Sequence, residues 1–354
     1  MTVDDQDEQR AVLLAVDGNS LVHRSFHAQA STGLRSAGGE PMWAIRGLLT
    51  QLVAAVERVA PVAVLFGFDD PDRSMRRDRW PNYKAGRTEK LETLVCQLAA
   101  AAEALRELGV AVIVPDGLEA DDVLASAARF GRRSGVETVL MTSDRDAFAL
   151  IDEHTRVLRI INGGVEASPM LTPDRFHTML GIRPDQYRDF AALRGDPSDN
   201  LPGVRGFGPK TAARLLTELG SVQAALDDLA DGGARVTAAV GPALAARLAE
   251  PDAQAAWRLN CQVMTMHDDL PLGVDLAAGP GVLPLAAETV RDVYTGHQLT
   301  WTAAAALRVL AHQDGPLAPA PERHWSPEHD RPPVARFGRL ERPKPKVHQL
   351  SLFE

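Results

Sequence analysis

Residues 137–148 read ETVLMTSDRDAF: a short apolar run, partly β-branched, that breaks into Asp144 and Asp146. The run is too short for a helix and has strand composition. Three more segments repeat the pattern. AVLLAV (11–16) ends in Asp17, and VAVLFGF (62–68) ends in Asp69, with Asp70 as a rival for the same role. VAVIV (110–114) leads into GLEADDVLA (117–125), which carries Glu119, Asp121 and Asp122 on the first turn of a helix. Helical patterns lie between the runs, so the region reads as a parallel sheet with crossover helices. The clearest pattern begins near Thr88 as N-cap, carries Leu91, Leu94, Val95, Leu98, Ala102 and Leu105 on one face, and stops at Gly109.

Ligands of open parallel sheets bind outside the carboxyl ends of the strands, and here four strands bring acids to that rim. Taken singly, acids in a first helical turn serve the helix dipole, and an Asp at a strand end is a turn residue or a cap. Together, seven carboxylates would raise one another's pKa values and cost stability unless cations sit among them. Oxygen ligands without His or Cys favour Mg²⁺ or Mn²⁺. Two such ions suit phosphodiester cleavage.

Beyond about residue 172 the strand signal fades, and 173–180, 186–194, 209–219, 221–230 and 241–249 read as short helices broken by Gly and Pro. This predicts an α/β core over 11–180 and a helical subdomain over 181–312, between a disordered N-terminus (1–10) and a disordered Pro-rich basic tail (313–354). The 354 residues carry a net charge of −9, two cysteines without framework or metal spacing, a polar start unlike a leader peptide, and no apolar run long enough to span a bilayer. A monomeric cytoplasmic protein without membrane contact is expected.

Two segments suit nucleic acid. DRSMRRDRWPNYKAGRTEK (72–90) has seven Lys/Arg against three acids, with Trp80 and Tyr83 interleaved, and follows directly on Asp69 and Asp70. Alone it reads as a solvated charged loop; beside an acidic pocket, it suits a single strand held by charge and stacking. GDPSDNLPGVRGFGPKTAARLL (195–216) places Asp196 and Asp199 before a glycine hairpin with Gly203, Gly206 and Gly208, then Lys210 and Thr211 at a helix start. Such a hairpin, a helix–hairpin–helix about 195–220, grips phosphates through backbone N–H groups, reading backbone rather than sequence.

These pieces resemble the 5′–3′ exonuclease domain of bacterial DNA polymerase I and the wider family of flap endonucleases and phage 5′ nucleases. VDGNSLVHRSFHA, the Asp69 strand end, YKAGR, GLEADDVLA, TSDRDAFALI and GDPSDNLPGVRGFGPKTA run in family order over about residues 11–310. The resemblance implies a PIN-like α/β core with a helical arch (about 72–95). It implies a first metal group of Asp17, Asp69, Glu119 (through water), Asp121 and Asp122, and a second of Asp144, Asp146, Asp196 and Asp199. Asp69 rather than Asp70 keeps the family spacing to Tyr83. Tyr83, Lys84 and Arg87 match the arch base, where Lys84 would steady the scissile phosphate. Arg24 would also approach phosphate, Arg76 belongs to the DNA-contacting basic stretch, and K⁺ is expected at the hairpin loop. The expected activity is two-metal hydrolysis of DNA at 5′ flaps and 5′ ends, leaving a 5′-phosphate and a 3′-hydroxyl, in replication and repair. No polymerase domain follows in this sequence, which suggests a stand-alone nuclease. A binding protein that kept only the hairpin would lack some of the acids, and a PIN-type ribonuclease would lack the hairpin and YKAGR. The last residues, HQLSLFE, resemble motifs that dock on the β sliding clamp, through Gln349, Leu350, Leu352 and Phe353.

Overall fold

The computed structural model describes residues 11–36, 38–87 and 90–313. Its centre is a six-stranded sheet: β1 (Val12–Asp17), β2 (Ala63–Gly67), β3 (Ala111–Ile113), β4 (Glu137–Thr142), β5 (Thr155–Arg159) and β6 (Met170–Leu171). The order is β3-β2-β1-β4-β5-β6, parallel except for β6. The chain builds outward from β1 to β3, then returns to lay β4 against the other side of β1. The reversal between β1 and β4 is the switch point where an open α/β sheet leaves a crevice.

Alternation along β1 shows why the sheet is buried on both faces. Leu14 and Val16 enter one core, Leu13 and Ala15 the other, all fully buried. The first core is covered by α1 (Gly18–Gln29), α2 (Trp43–Val59) and, after the short α3 (Met75–Arg79), by α4 (Glu92–Glu107). The second is covered by α5 (Ala120–Ser134), which comes so close to β2 that a β-carbon on Gly67 would lie 2.7 Å from the Val123 side chain. After α6 (Gly164–Ala167), the same core continues through α7 (Pro173–Leu180), α8 (Tyr187–Arg194), α9 (Pro209–Leu219), α10 (Val222–Ala230), α11 (Ala234–Val240), α12 (Pro242–Ala249) and α13 (Pro251–Val263). Finally α14 (Ala287–Gly296) and α15 (Thr300–Leu310) return to the first core, where Tyr294 Oη donates to the Leu49 carbonyl of α2.

Four differences from the sequence reading have physical causes. First, β5 (TRVLR) was missed because its arginines break the apolar run. Arg156 pairs with Glu137, and β5 is flanked by the two-residue β6. Second, α4 starts at Glu92, and its inward face is set by Leu94, Gln97, Ala101 and Leu105, leaving Leu91 and Val95 exposed. The buried Gln97 is what turns the helix, since its Oε1 accepts from the Ala44 N–H at the start of α2. Third, α14 and α15 do not belong with the helices that follow residue 181. Fourth, the described part of 72–95 is no long helical arch: the five residues of α3 give way to turns, and α4 follows. Thr88 lies outside the described residues, as do the N-terminus, the tail and the clamp-like motif.

Candidate active site

The crevice at the β1–β4 switch point opens into a cavity of about 820 Å³, bordered by Asp17, Asp69, Asp121 and Asp144 together with Arg24, Lys84, Arg87 and Lys90. Asp17 ends β1 and caps α1. Its Oδ1 accepts from Ser20 N at 2.8 Å, and its Oδ2 from Thr142 Oγ1 of β4 at 2.7 Å. Asp69 is held reciprocally by Asn19: its Oδ2 accepts from Asn19 Nδ2 at 2.7 Å, while its N–H donates to Asn19 Oδ1. Its Oδ1 takes the Ala120 N–H at the start of α5. Asp70, by contrast, turns away and accepts from Asp72 N, Arg73 N and Gly117 N, which holds its carboxyl below the usual range. Asp121 has a buried Oδ1 with no hydrogen-bond partner among the described residues. Asp144 is exposed, and its Oδ1 accepts from Asp146 N.

Burial, reinforced by mutual repulsion, raises these acids. Asp17 is pushed up to about 7, first by burial and then by Asp69 and Asp144. Asp146 rises to about 8 through burial and its neighbours Asp144, Asp196 and Asp199. Asp69 and Asp121 also rise, burial again the leading cause. His23, on the cavity wall, falls to about 4 through burial and nearby cations, so its imidazole is neutral at pH 7.

Asp122 and Arg76 are not where the sequence reading put them. Asp122 is fully buried and makes a two-pronged ion pair with Arg76, at 2.7 Å on each side. It also accepts from Glu119 N and His267 N, leaving its oxygens committed and its carboxyl below the usual range. It does not border the cavity. Arg76 is itself buried, so it presents nothing to a nucleic acid. Tyr83 is likewise buried, against Leu201 and Val263, with its hydroxyl donating to Glu119 at 3.0 Å; its ring has no free face for a base. Glu119 takes that bond, one from Arg76 at 3.2 Å and one from Lys84 Nζ at 2.9 Å.

Lys84 and Arg87 do reach the cavity. Lys84 sits at φ +56°, its N–H donating to the Asp199 carbonyl. Arg87 is bound to the Asp199 carboxylate. The turn after α3 is thus tied to the 196–199 turn, which brings Asp199 beside Glu119, Asp121 and Asp146 around one small cleft. Asp196 caps that turn, accepting from Ser198 N and Oγ. Arg24 donates to Asn162 Oδ1 across the cavity wall.

The hairpin stands next to this turn. Strands β7 (Gly195–Asp196) and β8 (Leu201–Pro202) pair, and then Gly203 passes so close to Gly195 that a β-carbon on either would strike main-chain atoms at 2.2 Å. Gly206 adopts φ +91°, and Gly208 caps α9 with open space around it. Lys210 is exposed and Thr211 half-buried at the amino end of α9, so a cation stands beside the positive end of that helix.

Among the described residues, no three carboxylates, imidazoles or thiols converge into a ready-made metal cage. The donor set nevertheless fits a hard divalent cation: it is all oxygen, it contains a buried carboxylate oxygen unpaired among the described residues, and Asp17 and Asp69 are held in place by Ser20, Thr142, Asn19 and Ala120. Those orienting residues escaped the sequence reading. Asn19 and Thr142 each lie two residues from a strand-end aspartate, and that proximity is the signal that could have found them.

Residues 12–181 match the family model described as "5′-3′ exonuclease, N-terminal resolvase-like domain", and residues 182–282 match "5′-3′ exonuclease, C-terminal SAM fold". The chain is 32% identical over 339 residues to DNA polymerase I of Mycobacterium tuberculosis (strain ATCC 25618 / H37Rv), covering 92% of this chain and 36% of that protein. It is 38% identical over 270 residues to the thermostable DNA polymerase I of Thermus aquaticus, covering 76% and 30% respectively. It therefore spans about a third of the length of these relatives. Among solved structures, T5 5′-exonuclease with bound zinc matches with a TM-score of 0.57 at 17% identity, over 84% of this chain and 99% of that one. The catalytic core of Rad2 in complex with DNA substrate matches at 0.53 and 16%, over 86% and 92%. The fold is shared with both. Built on a parallel sheet whose strand tips gather carboxylates beside a glycine hairpin, the chain belongs to the 5′–3′ exonuclease family.

Proposed function

We propose that this protein is a divalent-cation-dependent nuclease that hydrolyses DNA at 5′ flaps and from 5′ ends, leaving a 5′-phosphate and a 3′-hydroxyl, in replication and repair. One observation carries the reading. Around the β1–β4 switch point, Asp17, Asp69, Asp121 and Asp146 are all driven toward protonation, and Asp121 Oδ1 is buried without a partner among the described residues, while Lys84 and Arg87 line the same cavity as Asp17, Asp69 and Asp121. Acids so crowded suit a cation, and adjacent cations suit a phosphodiester. The T5 enzyme's bound zinc and the DNA held by the Rad2 core support both halves of the proposal.

Asp17, Asp69, Asp121, Asp144 and Asp146 would hold Mg²⁺ or Mn²⁺, with Asp196 and Asp199 contributing from the adjoining turn. When bound, such ions neutralise phosphate charge and promote in-line attack by water. The chain's own part is orientation. Ser20 and Thr142 fix the Asp17 carboxylate, Asn19 and Ala120 fix Asp69, and neither carboxylate can rotate without breaking a bond. Lys84, which lines the cavity beside the acids, would offset charge building on a phosphate oxygen. Arg24 and Arg87 would steer the 5′ strand. The hairpin at 203–208, with K⁺ at its loop, and Lys210 would grip the duplex phosphates as a helix–hairpin–helix. The segment HQLSLFE would dock on a β sliding clamp through Gln349, Leu350, Leu352 and Phe353.

The test is a cleavage map on a 5′-labelled flap duplex, with matched RNA and single-stranded substrates, in Mg²⁺, Mn²⁺ or EDTA. Cutting near the junction of the DNA flap, abolished by EDTA, is the expected result. Preference for RNA, or cleavage indifferent to EDTA, would overturn it.

A further inference from the structure

The guanidinium of Arg76 spends all five of its N–H donors. Nε donates to the Val263 carbonyl at 3.2 Å. One terminal nitrogen donates to Glu119 at 3.2 Å and Asp122 at 2.7 Å; the other reaches Asp122 at 2.7 Å and the Thr265 carbonyl at 3.0 Å. Two of these partners begin α5, the helix that carries Asp121 into the cavity. The other two are main-chain carbonyls at the end of α13, where a cation also meets the negative end of the helix dipole. Asp122 answers by accepting the His267 N–H, so the two segments are stitched from both sides.

The same last turns of α13 hold the hairpin. Asn260, fully buried, donates from Nδ2 to the Ala192 carbonyl at the end of α8 and to the Pro202 carbonyl of β8, both at 2.9 Å. Between Asn260 and His267 one short stretch therefore grips the base of the hairpin at one end and the start of α5 at the other. A salt bridge needed only for stability could involve any two charges. This one joins two helix ends through a planar five-donor fork, which a lysine cannot reproduce.

We propose that Arg76 is a positioning residue that sets where the strand is cut, by fixing the α13 strut between hairpin and acid cluster. The proposal rests on the nuclease reading above and adds to it the part that measures distance. It is tested with Arg76→Lys, and with the double variant Arg76→Met/Asp122→Leu, which removes both charges and leaves neither buried alone. Two readouts are taken on the full chain. Amide hydrogen exchange without DNA or metal follows residues 263–270, and product lengths are mapped on a 5′ flap of fixed junction.

In both variants exchange over 263–270 should rise at least about tenfold. Duplex affinity should stay within about twofold, because the hairpin's phosphate-gripping groups are untouched. Products should spread over neighbouring positions where the wild type gives one. Unchanged exchange, or faster exchange with the cut still at a single position and only its rate reduced, overturns the proposal. If Arg76→Lys fails to fold, the double variant decides on the same criteria. A wild type that cuts no flap would sink the nuclease reading instead, while the exchange measurement would still tell whether Arg76 holds the strut.

Discussion

Asp121 and Asp122 are neighbours in the chain and opposites in their surroundings. Asp122 is fully buried, yet every oxygen is matched: two prongs of Arg76 and two main-chain N–H groups hold its pKa down. Asp121 has a buried oxygen without a partner among the described residues, and burial, reinforced by the neighbouring acids, pushes its pKa up. A buried carboxylate that is already satisfied is part of the frame, whereas one left unsatisfied at a crevice is set for a ligand. Sequence spacing alone cannot separate the two, because residues one apart on a helix point about 100° away from each other.

The sharpest way to break the comparison is to remove each acid in turn. Asp121→Ala should lower the cleavage rate by about 1,000-fold or more, losing several kcal/mol of charge stabilisation. Its melting temperature in EDTA should stay level or rise. Asp122→Ala should instead leave the buried Arg76 without its two-pronged partner, with only the longer Glu119 contact as counter-charge, and cost about 3–5 kcal/mol in urea unfolding. If Asp121→Ala were the less stable of the two, the assignment of frame and site would be reversed. Next in size, Lys84→Ala should reduce kcat by about 100-fold, with flap affinity little changed, as measured in single-turnover assays.

Titration sharpens the same contrast. The folded chain holds protons on Asp17 to about pH 7 and on Asp146 to about pH 8, whereas the unfolded chain releases them near the ordinary value of 3.8. Over that window the unfolded state binds fewer protons, so stability in EDTA should fall as pH rises from about 4 to about 8. Added Mg²⁺ should flatten the slope. Asp122 acts with the opposite sign: its contribution is present above 3.8 and is lost as pH falls through its depressed value. A thermal-melt series in EDTA that rose steadily up to pH 8 would contradict this reading of the rim. The smallest effect expected is at the hairpin, where Lys210→Ala should reduce the salt dependence of duplex binding by about one in log–log slope.

What was legible in the sequence was whatever repeats. The strands ending in Asp17, Asp69 and Asp144 were visible because an apolar run meets an acid, and α7 and α9 because Pro and Gly punctuate them. Tertiary partners were not legible. Arg76 and Tyr83 sit in a basic, aromatic stretch whose composition suggests contact with nucleic acid, yet both turn inward, where the buried Glu119 and Asp122 take their donors. The family spacing to Tyr83 favoured Asp69 over Asp70, but the physical reason was not legible: Asn19, fifty residues away, binds one and not the other.

Gly195 and Gly203 meet main chain to main chain, with no room for a side chain on either. The neck of the hairpin is therefore a seam whose length is written in peptide units alone. On the proposed role of the hairpin, substitutions around the loop would strengthen or weaken its hold on a duplex without lengthening its reach, and a variant that shifted the seam would need an inserted residue rather than an exchanged one.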